Sequence, residues 1–136
     1  MQHTISTIVE NLCDYRQVCA KAAIIGNMLQ MQNDFPCGQY NYTALKQQHT
    51  QLLHKKSIID CWLQLLPDDE RFVIQTHMIQ GLDWAKTQTE YDKVWGIMNG
   101  RSERTLKRMQ AKAIRRIAAC MNQIEALACS TDVEVK

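Results

Sequence analysis

The sequence predicts an all-α protein, and three observations carry that prediction. Only 5 Gly and 2 Pro interrupt 136 residues, so few positions break a helix. Apolar residues recur with the helical period through most of the chain. Hydrophobic residues make up 46% of the sequence, enough to build a core and too many for a disordered chain. We therefore expect long helices rather than many short strands.

The first helix is predicted over residues 4–31, because apolar residues follow an i, i+3, i+7 stripe along it. The stripe consists of Ile5, Ile8, Leu12, Tyr15, Cys19, Ala22 and Leu29. The segment from Asn33 to Gly38 then places Asn, Asp, Pro and Gly within six residues, which predicts a loop. Residues 1–38 are accordingly predicted to be an N-terminal helical arm with its loop.

A second helix is predicted over residues 43–65 and a third directly after it. Leu45, Leu52 and Ile59 recur every seven residues, and Pro67 ends the second helix. The acidic run that follows Pro67 suits a helix N-terminus, where the backbone dipole favours negative charge. The third helix should end at Gly81, and its predicted apolar face comprises Phe72, Val73, Thr76 and Ile79.

Two further helices complete the predicted fold. Thr87 and Glu90 have the spacing of a capping box, so the fourth helix is expected to start near Thr87 and to end at Gly96 and Asn99-Gly100. The last helix should begin at Ser102, a favourable N-cap residue, and run to about residue 128. Residues 129–136 are predicted to be a frayed tail. Residues 39–65 are the connecting helix, and residues 66–128 form the C-terminal module.

The last helix begins with a block of positive charge in a chain whose formal net charge is only +2. Residues 101–116 hold seven basic side chains against one acid, Glu103. On a helical wheel, six of the seven fall within an arc of about 120°, opposite an apolar face. A charged stripe is usually a solvated face, but such faces normally mix signs. Solvation and binding of a polyanion therefore both remain open on the stripe alone.

Other chemistry finds little support in the sequence. Six cysteines invite a zinc or disulfide interpretation, but no pair has C-x-x-C spacing, and Cys37, His49, His54 and Cys61 fit no zinc pattern. Because no secretory signal or membrane-length apolar run is recognised, reduced thiols in a cytoplasm are expected. No catalytic motif is recognised. We therefore predict no enzymatic activity, no cofactor and no metal site.

The order of a short capped helix, a Gly-containing turn and a basic helix is that of a helix-turn-helix unit. The run from Ser102 to Ile117, SERTLKRMQAKAIRRI, resembles the recognition helix of bacterial sigma-factor region four. The run from Leu66 to Val73, LPDDERFV, is similar to the Leu-Pro-x-x-Glu-Arg-x-Val start of that module. The resemblance covers about residues 65–118. The chain departs from the module in being longer between Gly81 and Ser102.

Residues 1–64 do not resemble the promoter-melting region of a complete sigma factor. The size, the long first helix and the pattern from Trp84 to Arg116 look more like the ArpU and RinA type of phage late-gene transcription regulators. That resemblance implies a transcription regulator, encoded by a phage or prophage, that binds specific double-stranded DNA in the cytoplasm of a bacterial host. It implies base-reading by Glu103, Arg104 and Arg108. It implies phosphate binding by Arg101, Ser102, Lys107, Lys112, Arg115 and Arg116.

Two alternatives remain open. One is an interaction module that binds RNA polymerase or another regulator and has weak DNA affinity. The other is an accessory protein of phage DNA packaging. Separately from these alternatives, a homodimer formed through the N-terminal helices is expected, because the stripe from Ile5 to Leu29 is long for a helix that has only a small domain to cover. No membrane partner is expected.

Overall fold

The computed structural model of the protein describes residues 5–34, 41–96, 98 and 100–134. Among them the prediction of an all-α fold is confirmed, since every regular element is helical. The elements are α1 (Ile5–Asp34), α2 (Tyr42–Gln64), α3 (Asp68–Val73) with a π-helical continuation (Ile74–Ile79), α4 (Trp84–Trp95) and α5 (Glu103–Glu134). Most of the predicted loop after α1 lies outside the described residues, although Asn33 and Asp34 still belong to the helix.

Three helix starts are fixed by side-chain caps, and the sequence predicted one of them correctly. The Ser102 hydroxyl accepts a hydrogen bond from the Thr105 amide at 3.2 Å, which confirms the predicted cap of α5. Asn41 caps α2 by accepting from the Ala44 amide at 3.0 Å. The predicted cap of α4 at Thr87 was wrong. Asp83 caps that helix instead, accepting from the Lys86 amide at 2.8 Å.

Thr87 lies one turn inside α4, and its environment explains the error. Its side chain is fully buried, and its hydroxyl donates to the Asp83 carbonyl at 2.8 Å. A Thr followed three residues later by Glu can cap a helix, but it can also lie inside a helix and donate to the carbonyl four residues earlier. The sequence pattern is the same in both cases. The end of α4 was predicted correctly, because Gly96 follows it with a φ of 83°.

The helices α1 and α2 form an antiparallel hairpin, in which Tyr15 contacts Asp60 near the base and Gly26 approaches His49 further out. The base of this hairpin packs on the π-helical segment and on α5. The residues buried together there come from four elements and from the connection after α2. They are Ile8, Leu12, Ile59, Trp62, Leu63, Leu66, Ile74, Met78, Ala113, Ile114, Ile117 and Ala118.

A second, smaller core holds α3 and α4 against the first turns of α5. Val73, Tyr91 and Leu106 are buried at its centre. Phe72 meets Trp95 edge to face with ring centroids 5.1 Å apart, and Tyr91 stacks on Trp95 at 4.6 Å. The contact between Phe72 and Trp95 holds α4 against α3, because ring pairs of this kind have restricted geometry. Leu106 joins the start of α5 to the same core.

The π-helical segment was not predicted. Its amide-to-carbonyl hydrogen bonds skip one residue more than those of an α-helix, as in Gln80 N to Gln75 O at 2.9 Å. Gly81 ends it with a φ of 77°, a conformation that few other residues adopt. Among the described residues, no helix combines the length and the apolar character that crossing a bilayer requires.

Candidate nucleic-acid interface

The first four turns of α5 have one buried face and one cationic face. Leu106, Ala113 and Ile117 are completely buried. Four cationic side chains lie on the opposite side and are all exposed: Arg104, Arg108, Lys112 and Arg115. Because the apolar side is held in the two cores, the cationic side is presented outward in a fixed orientation. The helical wheel of the sequence therefore agrees with the burial pattern over this stretch.

These four cations have no ion-pair partner among the described residues. The five salt bridges found there involve Lys56, Arg71, Lys93, Lys107 and Arg116 as the basic partners. On an ordinary solvated helix, a carboxylate one turn away would offset each positive charge. Here Arg104, Arg108 and Lys112 follow one another at i, i+4 spacing with like charge. The row is therefore a surface of unneutralised positive charge.

Lys107 and Glu103 lie at the edge of this row and differ from its members. Lys107 Nζ is 3.2 Å from Glu103 Oε1, and both side chains are about half exposed. The same ammonium lies 5.9 Å from the centroid of the Trp84 ring, a distance at which a cation and an aromatic face attract each other. Two residues predicted to contact DNA are thus paired with each other in the free protein.

The turn before α5 is tied to α4 by a side-chain hydrogen bond. Gln88 Nε2 donates to the Arg101 carbonyl at 3.1 Å. The Arg101 side chain itself is exposed, and Ser102 directly after it caps α5. The exposed guanidinium of Arg101 therefore extends the cationic row toward the N-terminus of the helix. A helix N-terminus also favours anions through its free amides and its dipole.

Arg116 lies at the other edge of the cationic face, and its guanidinium reaches across to α3. Its Nη2 is 3.3 Å from Oε2 of Glu70, whose side chain is only 8% exposed. The other carboxylate oxygen of Glu70 is buried and has no hydrogen-bond partner among the described residues. Arg116 thus neutralises a buried charge. Its role in phosphate binding stays a prediction.

Arg71 has a structural role that its place in the run from Leu66 to Val73 did not predict. Its Nε and Nη2 donate to the carbonyls of Leu63 and Leu66, both at 2.9 Å, at the end of α2. Its Nη1 also lies 3.1 Å from Asp68. The free carbonyls of a helix C-terminus need such donors. The only signal for this role in the sequence was the position of an Arg four residues after a Pro that ends a helix.

A polar cluster fastens α1 to α2 away from the cationic row. The Tyr15 hydroxyl donates to Asp60 Oδ1, and Lys56 Nζ donates to Asp60 Oδ2 at 2.8 Å. Burial raises the pKa of Tyr15, and its hydrogen bond to Asp60 raises it further. Burial works against ionisation of Asp60, but the bonds from Lys56 and Tyr15 outweigh it and hold the pKa of Asp60 below its ordinary value.

The described residues contain no group of three or more His, Cys, Asp or Glu side chains placed to hold a metal ion. Of the four residues considered for zinc in the sequence, Cys37 lies outside the described part of the chain. Cys61 is an exposed free thiol. Comparison with protein-family models, with curated proteins and with solved structures finds no match to this chain.

Proposed function

We propose that this protein binds double-stranded DNA through the first four turns of α5 and regulates transcription as a helix-turn-helix protein. In this proposal α4, the turn and α5 form a unit similar to sigma-factor region four. The observation that carries the proposal is the exposed row of Arg104, Arg108, Lys112 and Arg115, which has no ion-pair partner among the described residues, on a helix whose opposite face is buried.

The repulsion within the row favours a polyanionic partner over a merely solvated face. Each pair of like charges at i, i+4 destabilises a helix by roughly 0.2–0.5 kcal/mol, and such pairs recur from Arg104 to Arg116. Phosphate groups remove this cost and release condensed counterions as they bind. A protein that used this face only for solubility could alternate signs and avoid the repulsion.

The dimensions of the row suit a DNA groove. An α-helix with its side chains is about 10–12 Å across, so it fits the major groove, which is about 12 Å wide. The row from Arg104 to Arg115 extends about 16 Å along the helix axis at 1.5 Å per residue. Recognition helices usually direct their N-terminal turns at the base edges. In our proposal Glu103, Arg104 and Arg108 read bases. The phosphate-binding residues are Arg101, Ser102, Lys107, Lys112, Arg115 and Arg116.

The salt dependence of binding tests this proposal. If about five cations contact phosphates, the slope of log K against log salt should lie between about −4 and −5. The measurement is a fluorescence-anisotropy titration of a random-sequence duplex at several salt concentrations. Absence of binding at low salt, or a slope near zero, contradicts DNA binding and favours the interaction module that recognises RNA polymerase or another regulator.

The biological role is tested separately from binding itself. We propose that the protein regulates late genes of a phage or prophage, and a regulator should prefer DNA upstream of such genes. The experiment compares affinity for upstream duplexes with affinity for duplexes from packaging sites of the same genome and for scrambled DNA. Preference for packaging sites contradicts the regulatory role and favours the packaging accessory, while both outcomes leave DNA binding intact.

A further inference from the structure

A cavity of about 260 Å³ lies between α1, α2 and α5, and none of its lining residues belongs to the cationic row. Ile59 and Trp62 in this lining belong to the core at the base of the hairpin, and Ile58 and Met121 pack against that core. The apolar wall of the cavity is therefore made of side chains whose positions are already fixed by packing. Preformed apolar cavities of this kind are where proteins bind small molecules.

The volume of the cavity sets the size of the molecule that fits. An apolar cavity of about 150 Å³ can hold benzene, and pockets for drug-sized ligands begin at about 300 Å³. A molecule of about ten non-hydrogen atoms therefore suits this cavity. Thr7, Gln51 and His54 in the lining are exposed, so the cavity is open to solvent and a molecule of this size can enter.

The charges around the cavity indicate the chemistry of its ligand. The lining contains Lys55 and no Asp, Glu or Arg. Lys55 has no ion-pair partner among the described residues, whereas the next residue, Lys56, pairs with Asp60 at 2.8 Å. A positive charge without a countercharge beside an apolar wall favours a molecule that joins an apolar body to a negative group.

The apolar wall also contains a polar group that has no partner. Trp62 is only 4% exposed, and its buried indole Nε1 has no hydrogen-bond acceptor among the described residues. Buried indole N–H groups usually have an acceptor. The chain thus leaves a polar requirement unmet in a residue that lines the cavity. The magnetic resonance signal of this N–H is also sensitive to a molecule that binds beside the ring.

We propose that the cavity binds a small organic carboxylate, with the carboxylate at Lys55 and the apolar body against Ile58, Trp62 and Met121. A flat ring suits the indole wall, because ring pairs gain stability beyond the area that they bury. Lys55 and Trp62 are roughly 10 Å apart along α2 at 1.5 Å per residue, a span that phenylacetate and a lysine side chain cover together. The site shares no residue with the cationic row, so the inference does not rest on the proposed function.

The first experiment titrates the isotope-labelled full chain with phenylacetate up to about 20 mM and follows the indole N–H signals of the 3 tryptophans. The Trp62 signal should move and saturate with a Kd of about 1 mM, because a ligand of this size has limited affinity. The signals of Trp84 and Trp95, which pack around the smaller core, should not move. A Trp62→Phe variant identifies the signals. An unmoved Trp62 signal, or equal movement of all of them, overturns the proposal.

Two further probes separate the charge of the ligand from its apolar body. Acetate has the charge without the ring, and it should leave the Trp62 signal unchanged at about 20 mM. The neutral 2-phenylethanol has the ring without the charge, and it should bind about fivefold more weakly than phenylacetate. Equal affinities for the two aromatic probes overturn the role of the charge. Movement of the Trp84 signal alone places the anion beside Lys107, which lies over that ring, and likewise overturns the proposal.

The second experiment locates the site with variants. Lys55→Gln should weaken binding of phenylacetate about fivefold and leave 2-phenylethanol unchanged. Lys46→Gln is the matched control, because Lys46 is an exposed lysine of α2 outside the cavity lining, and it should change neither affinity.

Met121→Trp should abolish binding of both aromatic probes by filling the cavity, and circular dichroism checks that every variant is folded. If Met121→Trp does not fold, the comparison of Lys55→Gln with Lys46→Gln still decides the matter. Equal affinity of these two variants for phenylacetate overturns the proposal. The measurements contain no DNA, so their failure and the failure of the proposed function are distinguishable.

Discussion

The guanidinium of Arg116 lies 3.3 Å from the carboxylate of Glu70, which joins the end of the cationic face of α5 to the start of α3. Glu70 is buried, and Arg116 is the charge found opposite it. Its neighbour Arg115 is exposed and has no ion-pair partner among the described residues. Two adjacent arginines of one basic run therefore differ in what they do for the folded protein.

The first prediction concerns this difference. Arg116→Met should lower the free energy of unfolding by about 2 kcal/mol, because it leaves the buried carboxylate of Glu70 without a countercharge. The loss is smaller than for a fully buried pair, because the Arg116 side chain is 42% exposed. Arg115→Met should change it by less than about 0.5 kcal/mol. Urea denaturation measures both, and the Glu70→Met/Arg116→Met double variant should regain most of the loss. Equal effects of the two single variants would contradict the assignment.

The second prediction divides the cationic row into two kinds of contact. Arg104 and Arg108 lie in the first two turns, where Arg can bind guanine in a bidentate fashion. Replacing either by Ala should cost about 1–3 kcal/mol on specific DNA and relax preference at one base pair. Lys112→Ala and Arg115→Ala should weaken specific and scrambled DNA alike and reduce the salt slope by about one unit each. Equal losses on both DNAs for all four variants would make the helix a generic basic surface.

The third prediction concerns Gln110, whose side-chain oxygen is buried without a hydrogen-bond partner among the described residues. An unsatisfied buried carbonyl costs about 1–3 kcal/mol relative to solvent. Gln110→Met removes the polar group and keeps the length of the side chain, so it should raise the free energy of unfolding by about 1 kcal/mol. Gln123→Met, at an exposed position of the same helix, is the control. A loss of stability in Gln110→Met would show that the oxygen has a partner in solution.

The fourth prediction is a pH dependence that arises from Asp60. Because the pKa of Asp60 is lower in the folded chain than its ordinary value of 3.8, the unfolded state binds a proton first as the pH falls. The contribution of Asp60 to stability is then fully present well above pH 3.8 and is lost as the pH falls through the folded value. Asp60→Asn should therefore show a shallower loss of stability below pH 4 than the wild-type chain. Parallel curves from denaturation between pH 6 and pH 2 would contradict this.

The cluster of Tyr15, Lys56 and Asp60 should also cause a loss of stability at alkaline pH. The pKa values of Tyr15 and Lys56 are both raised in the folded chain, Tyr15 mainly by burial and Lys56 by its hydrogen bond to Asp60. Their contribution to stability is fully present below their ordinary pKa values of 10.0 and 10.5. It is lost as the pH rises through the higher pKa values of the folded chain. Tyr15→Phe should remove the tyrosine part of this alkaline slope and leave the lysine part.

The helices of this chain were predictable because their signals are local. Apolar periodicity and cap signals indicated each of them, and Ser102 and Gly96 marked boundaries correctly. Two other boundaries were wrong, since α4 begins at Trp84 rather than near Thr87, and α5 continues to Glu134 beyond the predicted end near residue 128. The cationic face of α5 was also predictable, because in a regular helix the spacing of two residues in the sequence determines the angle between their side chains. The Ile5 to Leu29 stripe was recognised, but whether it would meet its own chain or another depended on where α2 and α5 pack.

The features that escaped prediction depend on contacts between distant residues. Arg116 and Glu70 are 46 positions apart, so nothing in the basic run separates Arg116 from Arg115. Thr87 was assigned as a cap because the residues next to it in the sequence give no sign that its side chain is buried. The π-helical turns between Ile74 and Ile79 leave the apolar pattern nearly helical, and so the change in hydrogen bonding has no sequence signature.

Those π-helical turns have a consequence for how the length of this protein can change. A turn closed by hydrogen bonds such as Gln80 N to Gln75 O holds one residue more than an α-helical turn. If one residue were lost there, such as the exposed Gln75, the segment could form ordinary α-helical hydrogen bonds. The flanking segments would then keep the same faces turned toward the core. A relative one residue shorter at this place would thus retain the same core. An alignment that permits no gap inside a helix would misplace everything on one side of it.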